Sequence, residues 1–237
     1  MSAPLDFNDG YCVICENDAK FLVNDEWLRD HYICHKCGSI PRQRALIHAL
    51  NIFLPTWRAL KIHESSPDGA SSDFIKRVAG DYSFSQYFPH GIPGEFMDGI
   101  RCENLEQLTF HNESIDIIIT QDVLEHVFHP MKAFQEIARV LKPGGFHFFT
   151  VPWYPETKTV VRAKLNNEGN IEYVKPPIYH GNPINKKGSL VVHDLGRDFI
   201  NDIQRHSGLS TMIYLEKNKT LGLDAEHLHV FICEKYS

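Results

Sequence analysis

The sequence has no apolar run that approaches the roughly 18 residues needed to cross a membrane as a helix. Its first residues contain neither a basic start nor an apolar core, so no secretory signal is expected there. It also lacks internal repeats and low-complexity segments. A cytoplasmic location without membrane partners is the expectation that follows.

Positive charge is scarce as well. The chain has 24 Lys and Arg against 30 Asp and Glu, which gives a formal net charge of −6. Nucleic-acid-binding proteins usually carry a basic excess, so this balance gives no general reason to expect a nucleic acid as partner. Residues 1–60 hold six Lys or Arg and seven Asp or Glu, so no basic stripe is evident there either. A nucleic-acid partner stays open as an alternative but is not favoured.

Four of the six cysteines form two pairs, each with a two-residue gap. These are Cys12 and Cys15, and Cys34 and Cys37. Such a gap lets both thiolates of a pair reach one ion, and four thiolates suit the tetrahedral preference of zinc. The spacing predicts a structural zinc site like that of a zinc ribbon, since four cysteines leave no coordination position open. Two disulfides or a redox pair are the alternatives, and a reducing compartment disfavours the disulfides.

Length and composition suit one ordinary domain with a small additional segment. The 237 residues are 43% hydrophobic and 23% charged, which is typical of a soluble globular protein. We expect a zinc-ribbon-like segment over 1–40 and the main domain over 41–237. The remaining cysteines, Cys102 and Cys233, fall in predicted strands and are expected to be core residues.

Two arginines lie near the start of the predicted main domain. Arg42 and Arg44 fall in the first turn of a helix predicted over 41–53, the end at which the helix dipole disfavours cations. One interpretation makes them a solvated face or partners of the zinc thiolates, and the other makes them contacts for an anionic ligand. The first is favoured.

The segment 114–153 carries the most informative pattern. A β-branched run over 115–120 is typical of a strand buried on both faces of a parallel sheet. An amphipathic helix is predicted over 130–141, followed by Pro-Gly-Gly, and a second buried strand is predicted over 146–151. Strand, helix and strand in this order predict a crossover unit and a parallel α/β sheet. Ligands of such sheets bind beyond the carboxyl ends of the strands, here at the polar residues 121–126.

The sequence motif of this segment, DxxxxxDVLEH followed by LKPGG, resembles that of the class I S-adenosylmethionine-dependent methyltransferases in the region after their fourth strand. The matching residues are Asp116, Asp122, Leu124, Glu125 and His126, then Leu141, Lys142, Pro143, Gly144 and Gly145. The resemblance implies S-adenosylmethionine as cofactor. It also implies an α/β fold with a Rossmann-like seven-stranded sheet over about 55–236, ending in an antiparallel pair of strands.

The resemblance also implies where the cofactor binds. After a first strand at 60–63, Glu64, Ser65, Ser66 and Gly69 take the places of the acid and the glycine-rich run. Serines replace glycines in this loop, and they still offer backbone and hydroxyl donors for the methionine carboxylate.

Further implied cofactor contacts follow the next three strands. Gln86 takes the place of the acid that binds the ribose hydroxyls, where an amide can accept one hydrogen bond and donate another. Asn104 and Leu105 take the places of the residues that contact the adenine. Gln121 and Asp122 follow the fourth strand, and Asp122 is expected to hold the methionine part or the acceptor.

About 40 residues beyond the fifth strand precede the next predicted helix, at 194–206. A β-hairpin is predicted over 157–174, and a proline-rich loop over 176–183. An insertion of this length, at 153–190, usually carries function or an interface, and in the family this region commonly covers the acceptor. The candidate acceptor element within it is Tyr179, His180 and Gly181.

An oxygen acceptor benefits from a general base that titrates near neutral pH, which suggests histidine. His126, after the fourth strand, and His180, in the insertion, are the candidate catalytic residues, although each also has an ordinary structural interpretation. The favoured function is O-methylation of a small molecule or sugar. The alternatives are an RNA methyltransferase that uses its zinc segment for RNA contact, and a non-catalytic binding module with a decayed cofactor pocket.

Overall fold

The structure, a computed structural model, describes residues 4–182 and 185–236. The helices are α1 (Leu28–His31), α2 (Pro41–Phe53), α3 (Gly69–Val78), α4 (Pro130–Val140) and α5 (Phe199–Ser207), with short 3-10 turns at Trp57–Ala59, Leu124–His126 and Lys219–Leu221. The strands of the first half are β1 (Asp6–Cys12), β2 (Asn17–Val23), β3 (Tyr32–Cys34), β4 (Lys61–Ser65), β5 (Asp81–Gln86), β6 (Phe96–Met97), β7 (Ile100–Cys102) and β8 (Ile115–Gln121). Those of the second half are β9 (Leu141–Thr150), β10 (Trp153–Tyr154), β11 (Val160–Val161), β12 (Ala163–Leu165), β13 (Ile171–Tyr173), β14 (Tyr179–His180), β15 (Ser189–Leu190), β16 (His193–Gly196), β17 (Ser210–Tyr214) and β18 (Val230–Glu234).

The largest sheet has eight strands in the order β17-β18-β9-β8-β4-β5-β7-β6. Strands β7, β5, β4, β8 and β9 are parallel neighbours, β18 runs antiparallel to β9, and β17 runs antiparallel to β18. Apart from the two-residue edge strand β6, this is the expected Rossmann-like seven-stranded sheet with an antiparallel pair at its end. The carboxyl ends of its five parallel strands lie along one edge, the place where ligands bind in such folds.

Strand β8 is central because both of its faces are apolar. Ile117 and Ile119 pack into the core beneath α2 and α3, whereas Ile118 packs on the opposite face with Phe134 and Ile137 of α4. This alternation follows from the two-residue period of a strand. The β-branched run therefore joins the two helical layers of the molecule.

The N-terminal segment is a three-stranded antiparallel sheet, β1-β2-β3, that packs against the main domain. Its Phe21 and Tyr32 share one hydrophobic core with Leu46 and Ile47 of α2. A Cβ at Gly10 would lie 2.2 Å from the carbonyl oxygen of Thr220, so this segment also approaches the C-terminal part closely. The two parts that we expected to divide at residue 40 thus share a continuous core.

Two sequence predictions in the second half need correction. The helix expected over 194–206 begins only at Phe199, because His193–Gly196 forms β16 and pairs with β10 and β11. A Cβ at Gly196 would lie 2.3 Å from the backbone of Lys158, so this strand runs very close to its neighbour. Tertiary pairing therefore outweighed the helical pattern of these residues.

The second correction concerns the Pro-Gly-Gly turn after α4. It was expected to precede a strand at 146–151, but it lies inside β9, where Leu141 already pairs with Ile115. The amide of Gly144 donates to the carbonyl of Lys235 at 2.7 Å. The neighbouring segments thus hold the turn within the sheet.

Other predictions in this half are confirmed. The hairpin of the insertion pairs β12 with β13, and Cys102 and Cys233 are buried core residues. Pro183, which belongs to the expected proline-rich loop, lies outside the described residues. Among the residues described, no helix has the length and apolarity that a membrane crossing requires.

Candidate active site and metal centre

The paired cysteines occupy two turns, one between β1 and β2 and one after β3. The Sγ atoms of Cys12 and Cys37 are 3.8 Å apart, those of Cys15 and Cys34 are 3.6 Å apart, and all four thiols are free. Four Zn–S bonds of roughly 2.3 Å at tetrahedral angles separate the sulfur atoms by roughly 3.8 Å. The cluster therefore fits a zinc ion, as its spacing in the sequence predicted.

Arg44 is fully buried beside this cluster. Its guanidinium donates to the backbone carbonyls of Ser39, Tyr32 and Gly222, and it lies over the ring of Phe21 at 4.6 Å. Arg44 thus ties the loop after the fourth cysteine to the C-terminal part of the chain. Its partners belong to the protein rather than to a ligand.

Asp122 lies just beyond β8 and is bound by two arginines of the N-terminal half. Arg29 Nη2 lies 2.8 and 3.0 Å from its two carboxylate oxygens, and Arg42 Nε lies 3.1 Å from Oδ2. The Thr150 hydroxyl donates to Oδ1 at 2.9 Å. Burial opposes the ionisation of Asp122, but the two arginines outweigh it and lower its pKa to about 2. Arg42 therefore contacts an anion that the chain itself supplies, and Asp122 fastens α1 and α2 to the ligand-binding edge.

Ser65, Ser66 and Gln86 lie at the carboxyl ends of the adjacent strands β4 and β5, where the resemblance put the cofactor contacts. Ser65 and Gln86 are buried, and none of the three side chains makes a hydrogen bond within the described residues. Hydroxyl and amide groups suit the carboxylate and ribose hydroxyls of S-adenosylmethionine. The free polar groups at this edge therefore fit the cofactor that the fold implies.

The loop between β4 and α3 is pressed against α2. Gly69 has a φ of +74°, and a Cβ on it would lie 2.1 Å from Nε2 of Gln43. The Gln43 side chain accepts from the amide of Ile40 and donates to the carbonyl of Asp68. Glycine is favoured here by the left-handed backbone conformation, whereas a Cβ would require the end of the Gln43 side chain to shift. A surface cavity of about 340 Å³ adjoins the same loop.

Glu64 has more partners within the protein than its expected role suggested. It is fully buried and accepts hydrogen bonds from Ser72 Oγ, Gln121 Nε2 and the Tyr82 hydroxyl at 2.7, 2.7 and 2.8 Å. Gln121 in turn accepts from the Ser71 hydroxyl at 2.8 Å. Burial raises the pKa of Glu64 despite these donors. Glu64 and Gln121 thus hold β4, β8 and α3 together beneath the cofactor edge.

The two residues expected at the adenine also have partners inside the chain. The side-chain carbonyl of Asn104 accepts from the amide of Glu106 at 2.9 Å, which closes a turn. Leu105 is buried in the core that contains Leu108. The expected adenine contacts thus lie within a compact turn after β7.

A second cluster lies beyond β8, where the 3-10 turn Leu124–His126 meets the insertion. His126 Nε2 and His180 Nδ1 are 3.7 and 3.6 Å from Oε1 of Glu125. The two imidazole rings pack edge to face with their centroids 5.3 Å apart. Both predicted catalytic histidines are thus brought together with Glu125, which the sequence marked only as part of a motif.

The insertion forms a small cavity of about 50 Å³ over this cluster. Its lining includes Glu125, Tyr154, Ile178, His180, His193 and Asp194. The cavity lies at the carboxyl ends of β8 and β9, so it faces the ligand-binding edge of the sheet. Sequence reasoning missed Arg29 and the role of Glu125, because no local pattern distinguishes them from ordinary charged residues.

Comparison with known proteins agrees with this geometry. A family model described as a methyltransferase domain matches residues 83–149. The ubiquinone biosynthesis O-methyltransferase of Parvibaculum lavamentivorans is 40% identical over 48 residues, which are 20% of this chain and 19% of that protein. The protein of the same name from Coxiella burnetii is 38% identical over 50 residues, 21% of each chain. The chain thus spans about a fifth of the length of these curated relatives.

Solved structures share the fold. An S-adenosylmethionine-dependent methyltransferase from Mesorhizobium loti has a TM-score of 0.51 and 16% identity, covering 80% of this chain and 97% of that one. DesVI from Streptomyces venezuelae has a TM-score of 0.50 and 11% identity, covering 81% and 91%.

The strand order, the methyltransferase-domain match and these neighbours define a class I S-adenosylmethionine-dependent methyltransferase fold. The chain shares this fold, matches the methyltransferase-domain model over 83–149 and carries a four-cysteine cluster in its N-terminal segment, so the fold that the resemblance implied is confirmed.

Proposed function

We propose that this protein transfers the methyl group of S-adenosylmethionine to an oxygen atom of a small molecule or sugar. The observation that carries the proposal is the cluster of Glu125, His126 and His180 under the insertion, at the same edge as the free polar groups of β4 and β5. The short matches to O-methyltransferases point the same way. Four free thiols would persist in a reducing, cytoplasmic compartment, where they would hold a structural zinc ion.

The side chains of Ser65, Ser66 and Gln86, at the carboxyl ends of β4 and β5, would bind the cofactor. The Ser65 and Ser66 hydroxyls would hold the methionine carboxylate, and the Gln86 amide would hold the ribose hydroxyls. When bound, S-adenosylmethionine supplies a methyl group already activated by the sulfonium. Glu64 and Gln121 contribute indirectly, because their hydrogen bonds fix the loop between β4 and α3.

The acceptor binds under the insertion, which limits the access of bulk water to the reacting atoms. A hydroxyl in this cavity would lie against His180, whose ring centroid is 5.3 Å from that of His126, and a neutral imidazole can accept its proton. His126 donates its Nδ1 hydrogen to the carbonyl of Leu190 at 2.8 Å, so its Nε2 is the atom left for this role. Acceptor specificity then depends on the lining residues Tyr154 and Ile178.

Calorimetric titration with S-adenosylmethionine and S-adenosylhomocysteine tests the proposal. We expect micromolar binding that Gln86→Ala weakens about tenfold, since it removes one or two hydrogen bonds worth about 1.4 kcal/mol. Gln204→Ala, an exposed position on α5, serves as the matched control and should leave the affinity unchanged. An absence of binding at millimolar cofactor would contradict the proposal and favour a non-catalytic binding module.

A further inference from the structure

The carboxylate of Glu125 is buried without a hydrogen-bond partner. The residue is 1% exposed, and neither Oε1 nor Oε2 has a partner among the described residues. Burying an ionised carboxylate in this way is costly unless it is paired or coordinates a metal. Arg29, an arginine of the same edge, hydrogen bonds to both oxygens of Asp122 instead. The described residues therefore leave both oxygens of Glu125 without a hydrogen bond, and only His126 and His180 lie within ion-pair distance of them.

The two histidines stand at distances from Glu125 that suit a shared ion better than direct hydrogen bonds. Separations of 3.6 and 3.7 Å are too long for a side-chain hydrogen bond. Two ligands on one ion, each bound at about 2.1 Å with a tetrahedral angle between them, lie roughly 3.4 Å apart. The ligand atoms of all three residues fall within 4.8 Å of one another, so a single cation can reach all three with small side-chain adjustments.

The hydrogen bond of His126 also prepares it for metal binding. A carbonyl oxygen only accepts hydrogen bonds, so the contact of Nδ1 with Leu190 requires the hydrogen on Nδ1. The lone pair then lies on Nε2, the atom that faces Glu125. Metal-ligating histidines are commonly oriented by such a bond from the other ring nitrogen to a backbone carbonyl.

The backbone around the cluster is held by strand pairing and hydrogen bonds. Glu125 and His126 lie on one 3-10 turn, and the carbonyl of Glu125 accepts from the amide of Val192 at 2.8 Å. His180 lies on β14, which pairs with β15 opposite Ser189. Two segments separated by more than 50 residues are thus fixed against each other at this point.

We propose that Glu125, His126 and His180 bind a divalent transition-metal cation, separate from the four-cysteine site. Two imidazoles and one carboxylate are a common ligand set for zinc, iron, cobalt and manganese, and three protein ligands leave at least one position open. Glu125 and His180 line the cavity of about 50 Å³ under the insertion, so an ion bound by them would adjoin it.

The role of the ion, though not its binding, rests on the proposed function. An acceptor hydroxyl that occupies the open position loses its proton more readily, because a bound cation lowers the pKa of a ligating hydroxyl. The proton then passes to water, while both imidazoles serve as ligands and no longer as bases. The acceptors selected are those whose hydroxyl can reach the metal.

Titration with Co²⁺ tests the site directly. The protein is first dialysed against a mild chelator, and its zinc content is measured to verify that the four-cysteine site stays filled. We then expect one Co²⁺ per chain by calorimetry, with an absorption spectrum that lacks the sulfur charge-transfer band of a thiolate site. Glu125→Gln and His180→Ala should each weaken this binding by roughly 100-fold.

His206→Ala is the matched control, since this histidine is exposed on α5 and its ring bonds to the carbonyl of Asp202. It should bind Co²⁺ as the wild type does. Thermal unfolding separates metal loss from misfolding, because Co²⁺ should raise the Tm of the wild type and leave that of Glu125→Gln unchanged. A wild type that binds no Co²⁺ outside the cysteines, or variants that bind it normally, would overturn the assignment.

Binding of the cofactor is measured in the same preparations. Co²⁺ binding without any S-adenosylmethionine binding would leave the metal site standing and remove the proposed function. Cofactor binding without Co²⁺ binding would leave the proposed function standing and remove the metal site.

Discussion

Ser66 and Asp122 end two neighbouring strands in the left-handed backbone region, with φ of +56° and +52°. Residues with a Cβ rarely adopt this conformation, and such residues concentrate at functional sites. At Ser66 the conformation explains why the family resemblance expects glycine there. The loop keeps a glycine-like path although its side chain is that of serine.

Replacing Ser66 with glycine should stabilise the protein by roughly 0.5–1 kcal/mol, because relief of the left-handed strain exceeds the added freedom of the unfolded chain. Urea denaturation measures the change. Ser65→Gly is the matched control, since Ser65 lies within β4 and its replacement by glycine should destabilise the protein. A loss of stability in Ser66→Gly would show that the hydroxyl matters more than the backbone.

The ion pairs of Asp122 should make stability depend on pH in the acid range. Its pKa is lowered to about 2 from an ordinary 3.8, so its contribution is complete above about pH 4 and is lost as the pH falls towards 2. The shift corresponds to about 2 kcal/mol. Urea denaturation between pH 2 and 7 should therefore show that the free energy of unfolding of Asp122→Asn falls less steeply at acid pH than that of the wild type.

Asp81→Asn is the control for this experiment, because Asp81 is exposed and has no ion pair within the described residues. It should keep the slope of the wild type. If Asp122→Asn also kept that slope, the arginines would not be responsible for the lowered pKa.

At the scale of elements, the cysteine cluster and α2 act together. The cluster closes the turns of β1 to β3, and the core beneath it contains Phe21 and Tyr32 together with Leu46 of α2. A segment of this size buries too little apolar surface to fold alone, so a metal ion held by the four cysteines would supply part of its folding free energy. Through Arg29 and Arg42 the same segment reaches Asp122 at the ligand-binding edge.

Zinc removal should therefore disturb both the N-terminal segment and the ligand-binding edge that this segment contacts through Arg29 and Arg42. In Cys34→Ser we expect the zinc content to fall from about one per chain, together with a lower Tm and a weaker cofactor affinity. Elemental analysis, thermal unfolding and calorimetry measure the three quantities. Cys102→Ser, a buried cysteine of β7 outside the cluster, should keep its zinc; equal zinc loss in both variants would contradict a site formed by the four cysteines.

At the scale of the whole molecule, the part of residues 1–60 that the structure describes offers few unpaired cations to a polyanion. Arg29 and Arg42 are paired with Asp122, and Arg58 is paired with Glu16. Arg44 is buried, and Lys20 is paired with Asp9. The zinc segment thus provides no support for an RNA-binding surface, in line with the net charge of −6.

Fluorescence anisotropy with labelled RNA tests the prediction that the protein does not bind RNA. At low salt we expect no saturable binding up to about 100 μM protein, the upper end of the range of dissociation constants for non-specific binding by basic proteins. Lys36→Glu, which removes a lysine without an ion pair in the described segment, should make no difference. Tight binding that falls steeply with salt would instead favour the RNA methyltransferase.

Much of the fold could be predicted because it depends on local patterns. The helix over 41–53 and the helix α4 follow from helical periodicity and from proline at their starts, and the strand β8 follows from its β-branched run. The start of α5 was wrong, because residues 193–196 form β16 through pairing with distant strands, which no local pattern encodes. Local preference is weak compared with such pairing.

The candidate site divides in a similar way. The sequence by itself determined the crossover unit, the edge at which ligands bind and the four-cysteine cluster, since each depends on residues that are near neighbours along the chain. Only the tertiary structure decided that Arg29 meets Asp122, 93 positions away, and that His180 meets Glu125 beneath the insertion. Contacts between distant residues depend on the path of the whole chain, and Glu125 becomes buried without a hydrogen bond from the described residues only once the chain has folded.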